Sequence, residues 1–217
     1  MVVIPQNEIK VIPKNLPNQG VVETQLPKDI IDDIWSSIDE AKKNPTDLKG
    51  ELAGNIKSSL SLDMKSPLLK DFLAHILPNM ITSYTNTFGV PWRTTIKPNS
   101  TWNLSSMWVN FQRQHEFNPI HDHDGIFSFV IWMQIPTSYE EQKKLPICAE
   151  SNAHGSISNF GFHYTNSMVR VSQFFYNMEK QAEGYMVMFP SEMKHEVFPF
   201  YENDGERISI SGNIDIV

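Results

Sequence analysis

Between Lys28 and Lys43 the apolar positions are 30, 31, 34, 35, 38 and 41. Spacings of three and four place them on one face of a helix. Asp29, Asp32 and Asp33 lie early in this stretch and Lys42 and Lys43 late, as the helix dipole favours. Asn44-Pro45 ends it. A second helix starts at Ser66-Pro67, a cap residue followed by proline in the first helical position. Its spacing continues to about Phe88, and Pro78 should kink or split it. Gln19 to Pro27 reads as an early strand, and 46–65 as a loop containing a short alternating piece, Leu60 to Met64. From Val90 onward the pattern changes to short β-like runs separated by turn residues: Trp92–Ile96, Thr101–Gln112, Gly125–Ile135, Val169–Phe175, Gly184–Phe189, Glu196–Phe200 and Arg207–Ile216. Short strands without intervening helices predict a mainly β sandwich or barrel with bracing helices.

No low-complexity linker or repeat divides the chain. Residues 1–217 are therefore read as a single domain, with 1–95 as a strand and helical covering layer and 96–217 as the β core. Within that core, Pro136 to Ser167 carries Glu140, Glu141, Lys143 and Lys144 and then a Ser/Asn/His/Gly-rich stretch, which predicts a mobile insertion near the mouth of a site.

Composition narrows the function classes. The 217 residues are 40% hydrophobic and 20% charged, ordinary globular usage. A net charge of −7 argues against a nucleic-acid partner, which would require a basic surface. No run of eighteen apolar residues predicts a membrane span. The first residues lack the basic and long apolar regions of a signal peptide, so the expected location is cytoplasmic. Cys148 is the only cysteine, which excludes an intrachain disulfide and suggests a buried thiol.

The candidate chemistry lies in the β half. His121-Asp122-His123-Asp124 precedes an apolar run, with His195 and Arg207 further along. In an extended segment residues two apart share a face, so His121 and His123 can act as a proximal pair that a distal His195 completes. Such a facial triad leaves positions open on a non-heme Fe(II). Asp124 is the rival to His123: regular alternation would point it away from His121, but Gly125 follows and could break the alternation. With His123 as ligand the site has three histidines and no protein carboxylate.

Arg207 is followed by alternating Ile208-Ser209-Ile210-Ser211. Arg207 and both serines therefore share one strand face and the isoleucines the other, which suits a carboxylate pocket. The competing reading is a surface ion pair with Glu202, Asp204 or Glu206. Trp108, Asn110 and Gln112 share a face on an earlier run, where the amides could contact a co-substrate or substrate. His115, His154 and His163 lack matching partners, although His163 could reach the site from the insertion. No Gly-x-Ser-x-Gly elbow, phosphate-binding glycine loop or zinc-type cysteine pair competes.

Four pieces in order resemble a known family. Trp108-Val-Asn-Phe-Gln112 and Asn118-Pro-Ile-His-Asp-His123 are similar to the proximal half of the 2-oxoglutarate/Fe(II)-dependent oxygenases. Gly184-Tyr-Met-Val-Met-Phe-Pro-Ser191 with His195, and Arg207-Ile-Ser209, are similar to the distal half. The likeness covers roughly residues 100–217, and its His-x-His is that of a branch found in phages and marine bacteria. Most of the wider family has His-x-Asp at this place.

The resemblance implies a double-stranded β-helix, a cupin-like jelly roll. It implies Fe(II) held by His121, His123 and His195, and 2-oxoglutarate held by Arg207, Ser209 and Asn110. The activity implied is hydroxylation of a small-molecule or peptide substrate with release of succinate and CO2. The partners expected are that substrate and at most a second copy of the chain, with no nucleic acid and no membrane. Two other readings stay open: a three-histidine cupin-type dioxygenase that needs no 2-oxoglutarate, and a non-catalytic jelly-roll binding or structural protein.

Overall fold

Side-chain alternation along the strands sorts this protein into layers. The computed structural model describes residues 20–48, 50, 53–91, 100–149 and 156–216; the candidate strand 92–96 and His154 lie outside them. Among the described residues ten strands form two antiparallel sheets. The larger sheet has the order β1 (Val22–Gln25), β8 (Tyr185–Pro190), β5 (Phe127–Gln134), β10 (Arg207–Ile216), β3 (Trp102–Gln112), β2 (Ser58–Ser61). The smaller has the order β4 (Asn118–His121), β9 (Lys194–Val197), β6 (Phe160–Thr165), β7 (Val171–Tyr176). The two sheets stack as a jelly roll, the double-stranded β-helix that the strand pattern and the resemblance imply.

Each central strand of the larger sheet presents two distinct faces, as period-two alternation requires. Met107, Val109 and Phe111 of β3, Phe127, Phe129 and Ile131 of β5, and Ile208, Ile210 and Ile214 of β10 face the helices. Val130 and Trp132 of β5 and Val187 and Phe189 of β8 face the smaller sheet, where they meet Phe160 and Phe162. The remaining inward positions, Trp108, Asn110 and Gln112 of β3 and Arg207, Ser209, Ser211 and Asn213 of β10, line a cavity between the sheets. The alternating isoleucines and serines thus separate a greasy face from a polar one.

The first helix, α1, spans Lys28–Lys43 and buries Ile30, Ile34, Ile38 and Ala41, as its spacing predicts. The second begins as predicted, with the Ser66 hydroxyl accepting from Leu68 N. Pro78 disturbs it in a specific way. Proline has no N–H to donate, and the turn before it widens into a π-turn at Phe72–Ile76, with Leu77 N–H bonded to Phe72 O, before α2 (Leu77–Phe88) continues. Among the described residues no helix is long and apolar enough to cross a membrane.

Three parts of the chain differ from expectation. Asn118–His121 is a strand, where only a motif was read. His195 lies on β9 and pairs with His121 across the sheet, not in a turn before a strand. Phe160–Thr165, inside the segment read as an insertion, is β6 and pairs with both β7 and β9. Residues 135–159 connect β5 to β6, and the described part carries two short helices, α3 (Tyr139–Gln142) and α4 (Pro146–Ala149). Cys148 is buried.

Residues of α1 and α2 share one core with β3, β5, β8 and β10, and we propose on this basis that the covering layer and the jelly roll fold as one unit. Ile34 has no exposed surface. Ile34→Ala should cost about 2–5 kcal/mol and lower the midpoint of a single thermal transition. Two separate calorimetric transitions, with only one of them moved, would refute the single unit.

Candidate metal and co-substrate site

The three candidate histidines converge at one end of the cavity. His121 ends β4, His195 lies opposite it on β9, and His123 follows in the turn toward β5, anchored by its N–H to Ser191 O at 2.9 Å. One ring nitrogen from each lies within 4.8 Å of the others. Asp124 is exposed and outside this group. The backbone turns sharply only after it, at Gly125 with φ 92°, so His121 and His123 keep their common side. Asp122 instead pairs with Lys194.

The hydrogen bonds fix how these rings present themselves. His121 Nδ1 donates to Pro119 O at 2.7 Å and His195 Nδ1 to Met193 O at 3.0 Å. A carbonyl oxygen can only accept, so the proton sits on Nδ1 and Nε2 is left as a lone pair. His123 Nδ1 lies 3.1 Å from Asn213 Oδ1, which also accepts from the Ser128 hydroxyl at 2.9 Å. His123 Nε2 and His195 Nε2 then face each other at 3.1 Å. Two lone pairs at that separation repel unless a cation lies between them. Imidazole–metal bonds of about 2.1 Å at right angles place two nitrogens about 3 Å apart. The donor set therefore fits a metal ion.

Burial supports the same state. It is the main cause that lowers the pKa of all three rings, His123 to about 4 and His195 well below its ordinary value, with the neighbouring histidines adding to the shift in those two. At neutral pH the rings are uncharged, the form in which a metal binds. Phe160 stacks on His195 at 5.4 Å and Trp108 on His123 at 5.5 Å, which holds the ring planes. Of these supports, Asn213 and Ser128 were not foreseen. Both sit on the face that β5 and β10 turn toward the cavity, and Asn213, two residues after Ser211, continues the Arg207, Ser209, Ser211 series already recognised.

Arg207 lines the same cavity and is 3% exposed. The surface ion-pair reading fails: Glu206 pairs with Arg113 at 3.1 Å and Asp204 accepts from Gln114 at 3.0 Å. Among the described residues Arg207 meets only neutral acceptors. Its Nη2 donates to Ser158 O and Oγ at 2.6 and 2.8 Å, and its Nη1 to Gln112 Oε1 and Phe198 O at 3.2 and 3.4 Å. Nε is buried without a partner among the described residues. Burial pushes the pKa of this guanidinium down to about 9, which still leaves it a cation at neutral pH. A buried cation without a carboxylate is costly, and an anion entering the cavity would relieve it.

Ser209 and Asn110 pair across β10 and β3 and line the cavity beside Arg207. Asn110 Oδ1 accepts from the Ser59 hydroxyl at 2.6 Å, which leaves its amide hydrogens available. Gln112 is committed to Arg207, Glu116 O and Phe198 O. His163 is not brought in. It lies on the opposite face of β6 from Phe162 and pairs with Glu196 at 2.5 Å. His115 sits in a turn against Tyr201.

Comparison with known proteins agrees with this geometry. Residues 106–213, which include all three histidines and Arg207, match the family model described as "Putative 2OG-Fe(II) oxygenase". No curated protein matches by sequence. Solved structures of similar fold include a Pseudomonas putida prolyl-4-hydroxylase, at 12% identity and TM-score 0.55, covering 91% of this chain and 92% of that one. A viral collagen prolyl hydroxylase from Paramecium bursaria Chlorella virus-1, solved with 2-oxoglutarate, matches at 12% identity and TM-score 0.53, covering 89% and 94%. A Trichoplax adhaerens prolyl hydroxylase in complex with a hypoxia inducible factor peptide matches at 10% identity and TM-score 0.51, covering 91% and 82%. At these identities the structures establish a shared fold.

Proposed function

Because the chain belongs to the 2-oxoglutarate/Fe(II)-dependent oxygenases, with Fe(II) and 2-oxoglutarate as its cofactors, we propose that it hydroxylates a small-molecule or peptide substrate in the cavity between its sheets. His121, His123 and His195 are the iron ligands, and Arg207, assisted by Ser209 and Asn110, receives the distal carboxylate of 2-oxoglutarate. One observation carries this reading: three histidine nitrogens converge in the cavity that also holds a buried arginine with no carboxylate partner among the described residues.

When bound, iron and 2-oxoglutarate supply the oxidising power, as the co-substrate is converted to succinate and CO2 and one oxygen atom enters a C–H bond of the substrate. The chain's own work is positioning and exclusion. Pro119 O, Met193 O and Asn213 Oδ1 keep each imidazole in the tautomer whose Nε2 faces the metal. Phe160, Phe162 and Phe189 pack around His195 and keep water from that ligand. Arg207 fixes one end of 2-oxoglutarate, so that its 2-oxo-acid end is aimed at the histidines.

Incubation with Fe(II), 2-oxoglutarate and air should yield succinate even without substrate, at a slow uncoupled rate that proton NMR can follow. Succinate formation that did not depend on added iron, or that persisted in His121→Ala, would contradict the assignment.

A further inference from the structure

The donors of Arg207 are used unequally. Nη2 is held twice and closely, by the carbonyl and the hydroxyl of one residue, Ser158. The Nη1 contacts, at 3.2 and 3.4 Å, are at the long end of the hydrogen-bond range, and Nε has no partner among the described residues. Nη2 is therefore the anchored corner of the guanidinium, while Nε and Nη1 retain donor capacity.

Ser158 itself is specially held. It has no exposed surface and φ 61°, a left-handed conformation unusual for serine that its surroundings must offset. Its N–H bonds to Pro199 O at 3.1 Å, and its hydroxyl lies 3.3 Å from the Thr137 hydroxyl. The next residue, Asn159, bonds through its carbonyl to Phe198 N and through its side chain to Met178 N. A turn tied to the segments that follow β9 and β7 and to the start of the connection after β5 thus presents two oxygens to one nitrogen of the co-substrate arginine.

We propose that Ser158 is a positioning residue for 2-oxoglutarate, acting through Arg207. It sets the plane and depth of the guanidinium so that Nε and the loosely held Nη1 meet the distal carboxylate. The inference rests on Arg207 being the carboxylate site. It assigns a role in co-substrate selection to the connection between β5 and β6, whose sequence shows no such signal.

The test compares two ligands of the anaerobic Fe(II)-loaded protein: 2-oxoglutarate, and 2-oxopentanoate, which has the same chain length but no distal carboxylate. Ser158→Ala removes the hydroxyl bond and keeps the carbonyl. Ser158→Gly does the same and suits a positive φ, so folding is secured in at least one variant. A bond to a charged group is strong enough for its loss to weaken 2-oxoglutarate binding about tenfold, and 2-oxopentanoate binding should stay unchanged. Equal weakening of both ligands would mark Ser158 as merely structural and overturn the proposal, as would an unchanged affinity ratio in both variants. If Arg207→Ala also leaves that ratio unchanged, the carboxylate site itself is misassigned; if Arg207→Ala collapses it and the Ser158 variants do not, only the role of Ser158 is lost.

Discussion

His195→Ala should abolish stoichiometric Fe(II) binding. His195 is 3% exposed, its Nδ1 is tied to Met193 O, and its Nε2 lies 3.1 Å from that of His123. No other described side chain reaches the same point to replace it. Loss of an outer partner of a ligand costs about tenfold to a hundredfold in metal affinity, so loss of the ligand itself should exceed that range. His123→Ala should behave in the same way, whereas Asp124→Ala should bind iron as the parent does. The reverse outcome for these two variants would transfer the ligand role to Asp124 and make the centre the more usual two-histidine, one-carboxylate type.

Arg207→Ala should leave Fe(II) affinity unchanged and weaken 2-oxoglutarate binding severely. Truncating one partner of a buried charge pair costs about 3–5 kcal/mol because the other charge is left unpaired. That corresponds to roughly a hundredfold to several thousandfold in Kd, measurable by anaerobic titration. Arg207→Lys should recover part of the loss, since an ammonium keeps the charge and lacks the planar fork. Here it would also forfeit the Nη2 anchor on Ser158. An Arg207→Ala protein that bound 2-oxoglutarate like the parent would remove the arginine from the site.

The parts of this protein governed by local periodicity were legible in its sequence. Lys28–Lys43 is helical because its apolar spacing has a helical period, and the polar face of β10 follows from alternating isoleucine and serine. Where the strand signal is brief or diluted by turn residues, it is lost. Phe160-Gly-Phe-His-Tyr164 alternates weakly within a Ser/Asn/Gly-rich stretch, and β4 has only four residues, two of them asparagine and proline. Such strands exist because neighbouring strands pair with them, β9 with β4 and both β7 and β9 with β6. The histidine and arginine motifs could be read because their chemistry needs fixed spacings along one or two strands. Asn213, Ser128 and Ser158 could not, because their roles depend on which strands become neighbours. The acids near Arg207 misdirect a purely local reading: Glu206 and Asp204 alternate away from the cavity toward Arg113 and Gln114, while Arg207 turns inward.

The most direct test is anaerobic titration of the Fe(II)-loaded protein with 2-oxoglutarate, followed by visible absorption. A bidentate 2-oxo acid on ferrous iron gives a charge-transfer band, so the band should grow to saturation at one equivalent of bound co-substrate. It should be absent in His195→Ala, and in Arg207→Ala it should appear only at far higher 2-oxoglutarate concentrations. A parent protein that binds iron but develops no band at any 2-oxoglutarate concentration would contradict the account.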